Sequence, residues 1–144
     1  MIGRVLVVED ELLWLRVLER RLQTAGYTVA CAANGRHALT WLATADPLPD
    51  VILTDLLMPE IGGYDLSAAI RADARLAHLP IIIMSSLDSA AFREPAAQLG
   101  IFRYLTKPLP AEEIVTTIGA ALAAQPPTPG SGAAPADNYR RGSP

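Results

Sequence analysis

Short apolar runs alternate along the chain with segments in which apolar residues recur at helical spacing. The apolar runs predict five strands and the periodic segments predict five helices, in the order strand then helix throughout. The predicted strands cover residues 4–8, 27–32, 51–54, 81–84 and 102–105. Because parallel strands need long crossover connections, this alternation predicts a parallel sheet with helices on both faces.

The predicted helices begin and end near residues that commonly bound helices, such as Asn34 before the second and Gly26 after the first. They cover residues 12–26, 34–42, 64–73, 89–99 and 111–124. Pro95 falls inside the fourth predicted helix, where proline removes a backbone hydrogen bond. We therefore expect this helix to be irregular, or to begin late with Pro95 in its first turn.

The composition changes at Pro126, after which Pro, Gly, Ser and Ala dominate. A segment of this kind cannot bury an apolar core. We therefore expect one folded domain over residues 1–124 and a disordered tail or linker over residues 125–144. The sequence leaves open whether this segment ends the protein or connects the domain to another.

Charge and composition exclude several classes of protein. The 144 residues carry a formal net charge of -3 and show no basic stripe, which argues against direct nucleic-acid binding. No apolar run approaches the roughly 20 residues of a membrane span, and no secretory signal precedes the first strand. The only cysteine, Cys31, cannot form an internal disulfide. These features predict a soluble cytoplasmic domain without membrane insertion.

Polar residues stand at the carboxyl ends of four predicted strands, where open α/β sheets bind their ligands. These residues are Glu9, Asp10, Asp55, Ser85 and Lys107. If the first and third strands are neighbours, the carboxylates converge, and a hard divalent cation would relieve their repulsion. Few protein ligands and several waters favour magnesium. Lys107, the only lysine in the chain, would supply the remaining positive charge.

This set of groups is suited to accept a phosphoryl group. The carboxylate of Asp55 could attack phosphorus and form an aspartyl phosphate. The metal ion and the Lys107 ammonium would neutralise charge on the transferring oxygens, and the Ser85 hydroxyl could donate a hydrogen bond to the attached phosphate. The residues therefore indicate a phosphoacceptor rather than a hydrolase with an organic substrate.

Four stretches resemble, in order and in spacing, the motifs of response-regulator receiver domains of bacterial two-component systems. They are residues 5–11, residues 51–59 together with Gly63, residues 80–86 and residues 104–108. The resemblance covers residues 4 to about 124. It implies a flavodoxin-like, doubly wound (βα)5 sandwich whose five-stranded parallel sheet has the order 2-1-3-4-5.

The resemblance also implies a phosphoacceptor and a set of metal ligands. Asp55 would accept the phosphoryl group from a phosphohistidine. Asp10 would bind magnesium directly and Glu9 through water, while Leu57 would contribute its backbone carbonyl. Manganese is the alternative metal.

Further residues of the resemblance belong to the switch. Lys107 would pair with Asp55 and then with the phosphoryl group, and its bond to Pro108 is expected to be cis. Ser85 would be the switch hydroxyl. Tyr104 would be the aromatic that turns inward when Ser85 moves toward the phosphate. As a structural alternative, Tyr104 would be an ordinary half-buried aromatic.

The function that this resemblance implies is a phosphorylation switch. A sensor histidine kinase or a histidine phosphotransfer protein would donate the phosphoryl group, and the surface of the fourth helix, fifth strand and fifth helix would change. The domain would not be an enzyme with a separate substrate, although it would catalyse its own phosphorylation and dephosphorylation. The downstream effector and a homodimeric state are left open.

Two other classes of function compete with this interpretation. A pseudo-receiver would serve only as an interaction module, and the intact carboxylates, hydroxyl and lysine weigh against it. An aspartate phosphatase would carry a second aspartate where this chain has Leu57, and a nucleotide-binding flavodoxin-like domain would have a glycine-rich loop after the first strand. The chain also departs from the usual receiver pattern. The departures are Glu9 for aspartate, Ser85 for threonine, Ile101 for a small residue and Phe102 for a polar one.

Overall fold

Five parallel strands form one sheet in the order β2-β1-β3-β4-β5. The structure, a computed structural model, describes residues 3–124. The strands are β1 (Arg4–Val8), β2 (Thr28–Ala32), β3 (Val51–Asp55), β4 (Ile81–Ser85) and β5 (Arg103–Thr106). The helices are α1 (Leu12–Thr24), α2 (Gly35–Thr44), α3 (Gly63–Ala72), α4 (Ala90–Gln98) and α5 (Ala111–Ala123). The predicted doubly wound fold is confirmed, and the predicted tail over residues 125–144 lies outside the described residues.

Apolar side chains cover both faces of the sheet. On one face, β1, β3 and β4 pack against α1 and α5 through residues such as Val7, Leu18 and Ile118. On the other face, the alternate strand residues pack against α2 and α3 through residues such as Leu42 and Ile70. Burying one such side chain contributes about 1.5–3 kcal/mol, so a one-residue slip of a strand would be costly. The register fixes where each strand ends, and therefore where its polar residue lies.

Of the two alternatives predicted for the fourth helix, the structure excludes the late start. Helix α4 begins at Ala90, well before Pro95, and continues through the proline to Gln98. Proline has no N–H to donate to the carbonyl four residues earlier, which belongs to Ala91. Because residues 90–94 are all exposed, water can bond that carbonyl and lower the cost. A late start at Pro95 is therefore unnecessary.

Arg71 at the end of α3 ties together two connections of the sheet. Its guanidinium donates to the carbonyls of Ala77 and Leu79 before β4, and to those of Leu99 and Gly100 before β5. Burial lowers the pKa of the Arg71 guanidinium. One side chain thus anchors the carboxyl end of α4, while most of that helix stays exposed. Within residues 3–124, no helix is long and apolar enough to cross a membrane.

Gly63 allows α3 to begin directly against the end of β3. Its N–H donates to the Leu56 carbonyl at 2.7 Å. A Cβ atom at this position would lie 2.6 Å from the Asp55 carbonyl oxygen and 3.2 Å from Cδ1 of Ile83. Both neighbours belong to buried strands that cannot move freely. The closeness of α3 to Asp55 therefore depends on the missing side chain.

We predict that Gly63→Ala destabilises the domain by about 1–3 kcal/mol, because the new methyl group overlaps the backbone of β3. Gly119→Ala is the matched control, since a Cβ there would meet only the Tyr27 hydroxyl, at 3.7 Å. That control should gain about 0.5–1 kcal/mol, as alanine favours a helix interior. Urea unfolding measures both. Equal stabilities of the two variants would contradict this account of Gly63.

Candidate functional site

Three carboxylates converge at the carboxyl edge of the sheet, where β1 and β3 are neighbours. Glu9 and Asp10 follow β1, and Asp55 is the last residue of β3. One carboxylate oxygen of each lies within 4.8 Å of one from each of the others. Glu9 is 1% exposed and Asp55 is 9% exposed. Ionised carboxylates this close and this buried repel each other, and a cation between them would offset the repulsion.

Lys107, one residue beyond β5, reaches into this cluster. Its Nζ lies 3.3 Å from Oδ2 of Asp55 and 3.5 Å from Oε1 of Glu9. The pairing of Lys107 with Asp55 was expected from the sequence, whereas the contact with Glu9 was not. The Lys107–Pro108 peptide bond is cis, as is Asp46–Pro47 at the opposite edge of the sheet. One ammonium group is thus shared by carboxylates from two strands.

Burial dominates the ionisation of these carboxylates. It raises the pKa of Glu9 to about 7, with Asp55 adding to the rise and the Glu11 N–H and Lys107 opposing it. Burial also raises the pKa of Asp55, against the opposing charge of Lys107. A single lysine therefore leaves the cluster short of positive charge. A hard divalent cation with oxygen ligands would supply what is missing.

Each oxygen of the Asp55 carboxylate has its own contact. Oδ1 accepts a hydrogen bond from the Leu56 N–H at 2.9 Å, and Oδ2 faces Lys107. Glu9 is held in the same manner, because its Oε2 accepts from the Glu11 N–H at 2.9 Å. Leu57 follows in the connection after β3, with a side chain that is 58% exposed. Its backbone carbonyl as a metal ligand stays a prediction.

Ser85 and Tyr104 meet at the peptide groups of one residue, Leu87. The Ser85 Oγ accepts a hydrogen bond from the Leu87 N–H at 3.0 Å. The Tyr104 hydroxyl donates to the Leu87 carbonyl. Ser85 is buried and Tyr104 is half-buried. A movement of the connection between β4 and α4 would therefore change the hydrogen bonds of both side chains.

An open apolar groove of about 530 Å³ adjoins the carboxylate cluster. Its apolar lining consists of Leu13, Trp14 and Val17 on α1, with Pro108 and Leu109 after β5. Leu13 is 78% exposed and Val17 is 45% exposed. Sequence reasoning missed this surface. The available signal was that Leu13 and Val17 are apolar yet lie outside the helical stripe that α1 buries.

Comparison with known proteins places the chain in a family. The family model described as the response regulator receiver domain matches residues 5–119. The chain belongs to this family. Receiver domains bind Mg²⁺ in their acidic pocket, and the cluster of Glu9, Asp10 and Asp55 fits that use because all three offer oxygen ligands. Response regulators interact with sensor histidine kinases and with effector domains.

Two curated relatives illustrate the similarity in sequence. The probable transcriptional regulator ycf27 of Guillardia theta is 35% identical over 119 residues, which cover 83% of this chain and 45% of the relative. The response regulator PleD of Caulobacter vibrioides is 35% identical over 109 residues, which cover 76% of this chain and 24% of the relative. The chain thus spans about half or less of the length of these relatives.

Two solved structures illustrate the similarity in fold. The chemotaxis response regulator CheY4 of Vibrio cholerae is 30% identical with a TM-score of 0.78, and the match covers 85% of this chain and 100% of that one. The receiver domain of a signal transduction histidine kinase from Syntrophus aciditrophicus is 26% identical with a TM-score of 0.78, and the match covers 95% of this chain and 98% of that one. Receiver folds of this kind thus occur both in response regulators and in kinases.

We predict that Glu9→Gln stabilises the metal-free receiver domain at about pH 8 by about 1–2 kcal/mol. Burial raises the folded-state pKa of Glu9 from 4.5 to about 7, so its contribution to stability is fully present below about pH 4.5 and is lost as the pH rises through about 7. Glutamine stays neutral throughout. The gain should therefore shrink toward pH 5.

Urea unfolding in chelator at about pH 5 and about pH 8 measures this difference. Glu113→Gln, at an exposed position near the start of α5, is the control. A gain from Glu9→Gln that is the same at both pH values would contradict the role assigned to burial.

Proposed function

We propose that the chain is a phosphoacceptor switch of a two-component phosphorelay, and that Asp55 receives the phosphoryl group. The phosphodonor would be a phosphohistidine of a sensor histidine kinase or a histidine phosphotransfer protein. The observation that carries the proposal is that Asp55 lies 3.3 Å from the Lys107 ammonium and belongs, with Glu9 and Asp10, to a carboxylate cluster that could hold a cation. A pseudo-receiver that acts only as an interaction module would have no need of this arrangement.

The reaction is an in-line displacement at phosphorus. A carboxylate oxygen of Asp55 bonds to phosphorus as the bond between phosphorus and the imidazole nitrogen breaks, and the imidazole leaves with the electron pair of that bond. Asp10, Asp55 and the Leu57 carbonyl would hold Mg²⁺, or Mn²⁺ as the alternative, with Glu9 acting through water, and the ion would neutralise charge on the transferring oxygens. The Lys107 ammonium would neutralise charge on the same oxygens. Positioning and charge are thus the whole contribution of the protein.

Ser85 would detect the new group. Its oxygen accepts from the Leu87 N–H, which leaves the hydroxyl hydrogen free to be donated to a phosphoryl oxygen. Movement of Ser85 would carry the Leu87 peptide and, through it, the Tyr104 hydroxyl. The switch would then change the surface formed by α4, β5 and α5. Homodimerisation, the boundary of the domain at residue 124, and a cytoplasmic location stay predictions.

The apolar groove beside Lys107 supports docking of the phosphodonor protein. A phosphohistidine must approach Asp55 closely, so the protein that carries it has to cover the rim of the site. The α1 side of that rim presents Leu13 and Val17, which are exposed to water in the free domain. Covering them gives a protein donor contact energy that a small phosphodonor lacks.

We predict that Asp55→Asn abolishes labelling by acetyl phosphate in the presence of magnesium, because an amide cannot form the acyl phosphate. Intact-protein mass spectrometry measures the added phosphoryl group. Asp50→Asn, an aspartate at the opposite edge of the sheet, is the control and should label normally. Undiminished labelling of the Asp55→Asn variant would overturn the proposed function.

We predict that Leu13→Glu slows phosphoryl transfer about tenfold when the phosphodonor is a kinase that labels the unaltered domain. The substitution places a charge in an apolar contact. Labelling by acetyl phosphate should change by less than about twofold, because the carboxylate cluster is untouched. Phe92→Glu, at another exposed apolar residue on α4, is the control. Equal slowing with both phosphodonors would contradict a docking role for the groove.

A further inference from the structure

A set of contacts centred on Arg93 covers the ring of Tyr104. The Arg93 guanidinium lies over the Tyr104 ring, 4.6 Å from its centroid. Its Nε donates to Oδ1 of Asp88 at 2.8 Å, and its Nη2 donates to Oγ1 of Thr106 at 3.0 Å. The Thr106 hydroxyl itself donates to Oδ1 of Asp88 at 3.1 Å. We call these four residues, Asp88, Arg93, Tyr104 and Thr106, the arginine clamp.

The arginine clamp joins three parts of the chain whose relative positions matter to the proposed switch. Arg93 lies on α4, Asp88 lies in the connection between β4 and α4, and Tyr104 and Thr106 lie on β5. Arg93 and Thr106 hold the pKa of the Asp88 carboxyl below its usual range, which keeps it ionised for the pairing. Helix α4 has Ala96 as its one buried residue, so its own packing restrains it little. The clamp is therefore a principal link between the exposed part of α4 and the sheet.

The arginine clamp also determines where the Tyr104 ring can lie. The ring has Arg93 on one face, and its hydroxyl donates to the Leu87 carbonyl. To swing toward solvent, the ring would have to give up that hydrogen bond and its contact with a guanidinium that is fixed at two other points. The Leu87 N–H is at the same time bonded to Ser85. The position of the Tyr104 ring and the position of Leu87 beside Ser85 therefore stabilise each other.

We propose that Arg93 is a positioning residue that holds Tyr104 against the Leu87 carbonyl before any phosphoryl group arrives. The inference rests on the proposed function, since it concerns the switch that Asp55 phosphorylation would drive. If the phosphoryl group favours the arrangement in which Ser85 is hydrogen-bonded to Leu87, stabilising that arrangement in the free domain raises the affinity of the site for the phosphoryl group. Arginine suits this role because its planar guanidinium can stack on a ring while it donates hydrogen bonds from its edge. A compact ammonium lacks this planar geometry.

The experiment compares three variants for binding of beryllofluoride, a phosphoryl analogue, in the presence of magnesium. Arg93→Ala removes the clamp, and Arg93→Lys keeps the charge without the planar fork. Arg103→Ala is the matched control, because Arg103 also stacks on an aromatic ring, that of Phe102 at 4.7 Å, but is not part of the clamp. Arg93 and Arg103 are both exposed, so neither substitution opens a cavity.

We expect Arg93→Ala to weaken beryllofluoride binding by about three- to tenfold, Arg93→Lys to lie between it and the unaltered domain, and Arg103→Ala to bind as the unaltered domain does. A second measurement reports the ring itself. With 3-fluorotyrosine incorporated and the Tyr104 resonance assigned through Tyr104→Phe, the fluorine shift should move toward that of a solvent-exposed tyrosine in Arg93→Ala, by less in Arg93→Lys, and not in Arg103→Ala. A purely structural role of Arg93 would not move this resonance selectively.

Unchanged binding and an unchanged Tyr104 resonance in Arg93→Ala would overturn the positioning role. Equal weakening by Arg103→Ala would overturn it as well, because the effect would then belong to surface charge in general. The proposed function fails separately, if Asp55→Asn binds beryllofluoride as tightly as the unaltered domain.

Discussion

The pairing of one lysine with two buried carboxylates is the interaction on which the site depends. Lys107 reaches Asp55 and Glu9 at 3.3 and 3.5 Å, and so joins the ends of β5, β3 and β1. Burial raises the pKa of both carboxylates above their ordinary values. The cluster is therefore short of positive charge, and a divalent cation would supply it both to the carboxylates and to an incoming phosphoryl group. The fold brings these residues together because its parallel strands all end at the same edge of the sheet.

Much of the fold was predictable because its signals are local. Apolar runs mark the strands, helical spacing marks the helices, and the side chain of Asn34 caps α2 by accepting from the His37 N–H. The polar residues at the strand ends were predictable for the same reason, once a parallel sheet was inferred. The predicted late start of α4 was wrong, because a rule about proline in helices takes no account of how exposed the preceding turn is.

Contacts between distant side chains were not predictable. Glu9, the second partner of Lys107, lies 98 residues away in sequence, and both Arg71 and the arginine clamp join residues of different elements and connections. An arginine in a helix gives no sign of which carbonyl or ring it will meet, since this depends on how helices pack on the sheet. Ile101 and Phe102 are similar cases. Both depart from the family pattern, and each packs against a different face of the core.

The central claim is that Asp55 carries the phosphoryl group, and chemical mapping of the modified residue tests it most directly. The domain is treated with acetyl phosphate and magnesium, reduced with borohydride and digested for mass spectrometry. Borohydride converts an aspartyl phosphate to homoserine and leaves a free carboxylate unchanged. We expect homoserine at position 55 and at no other aspartate. Homoserine at Asp10 or another aspartate, with Asp55 unmodified, would contradict it.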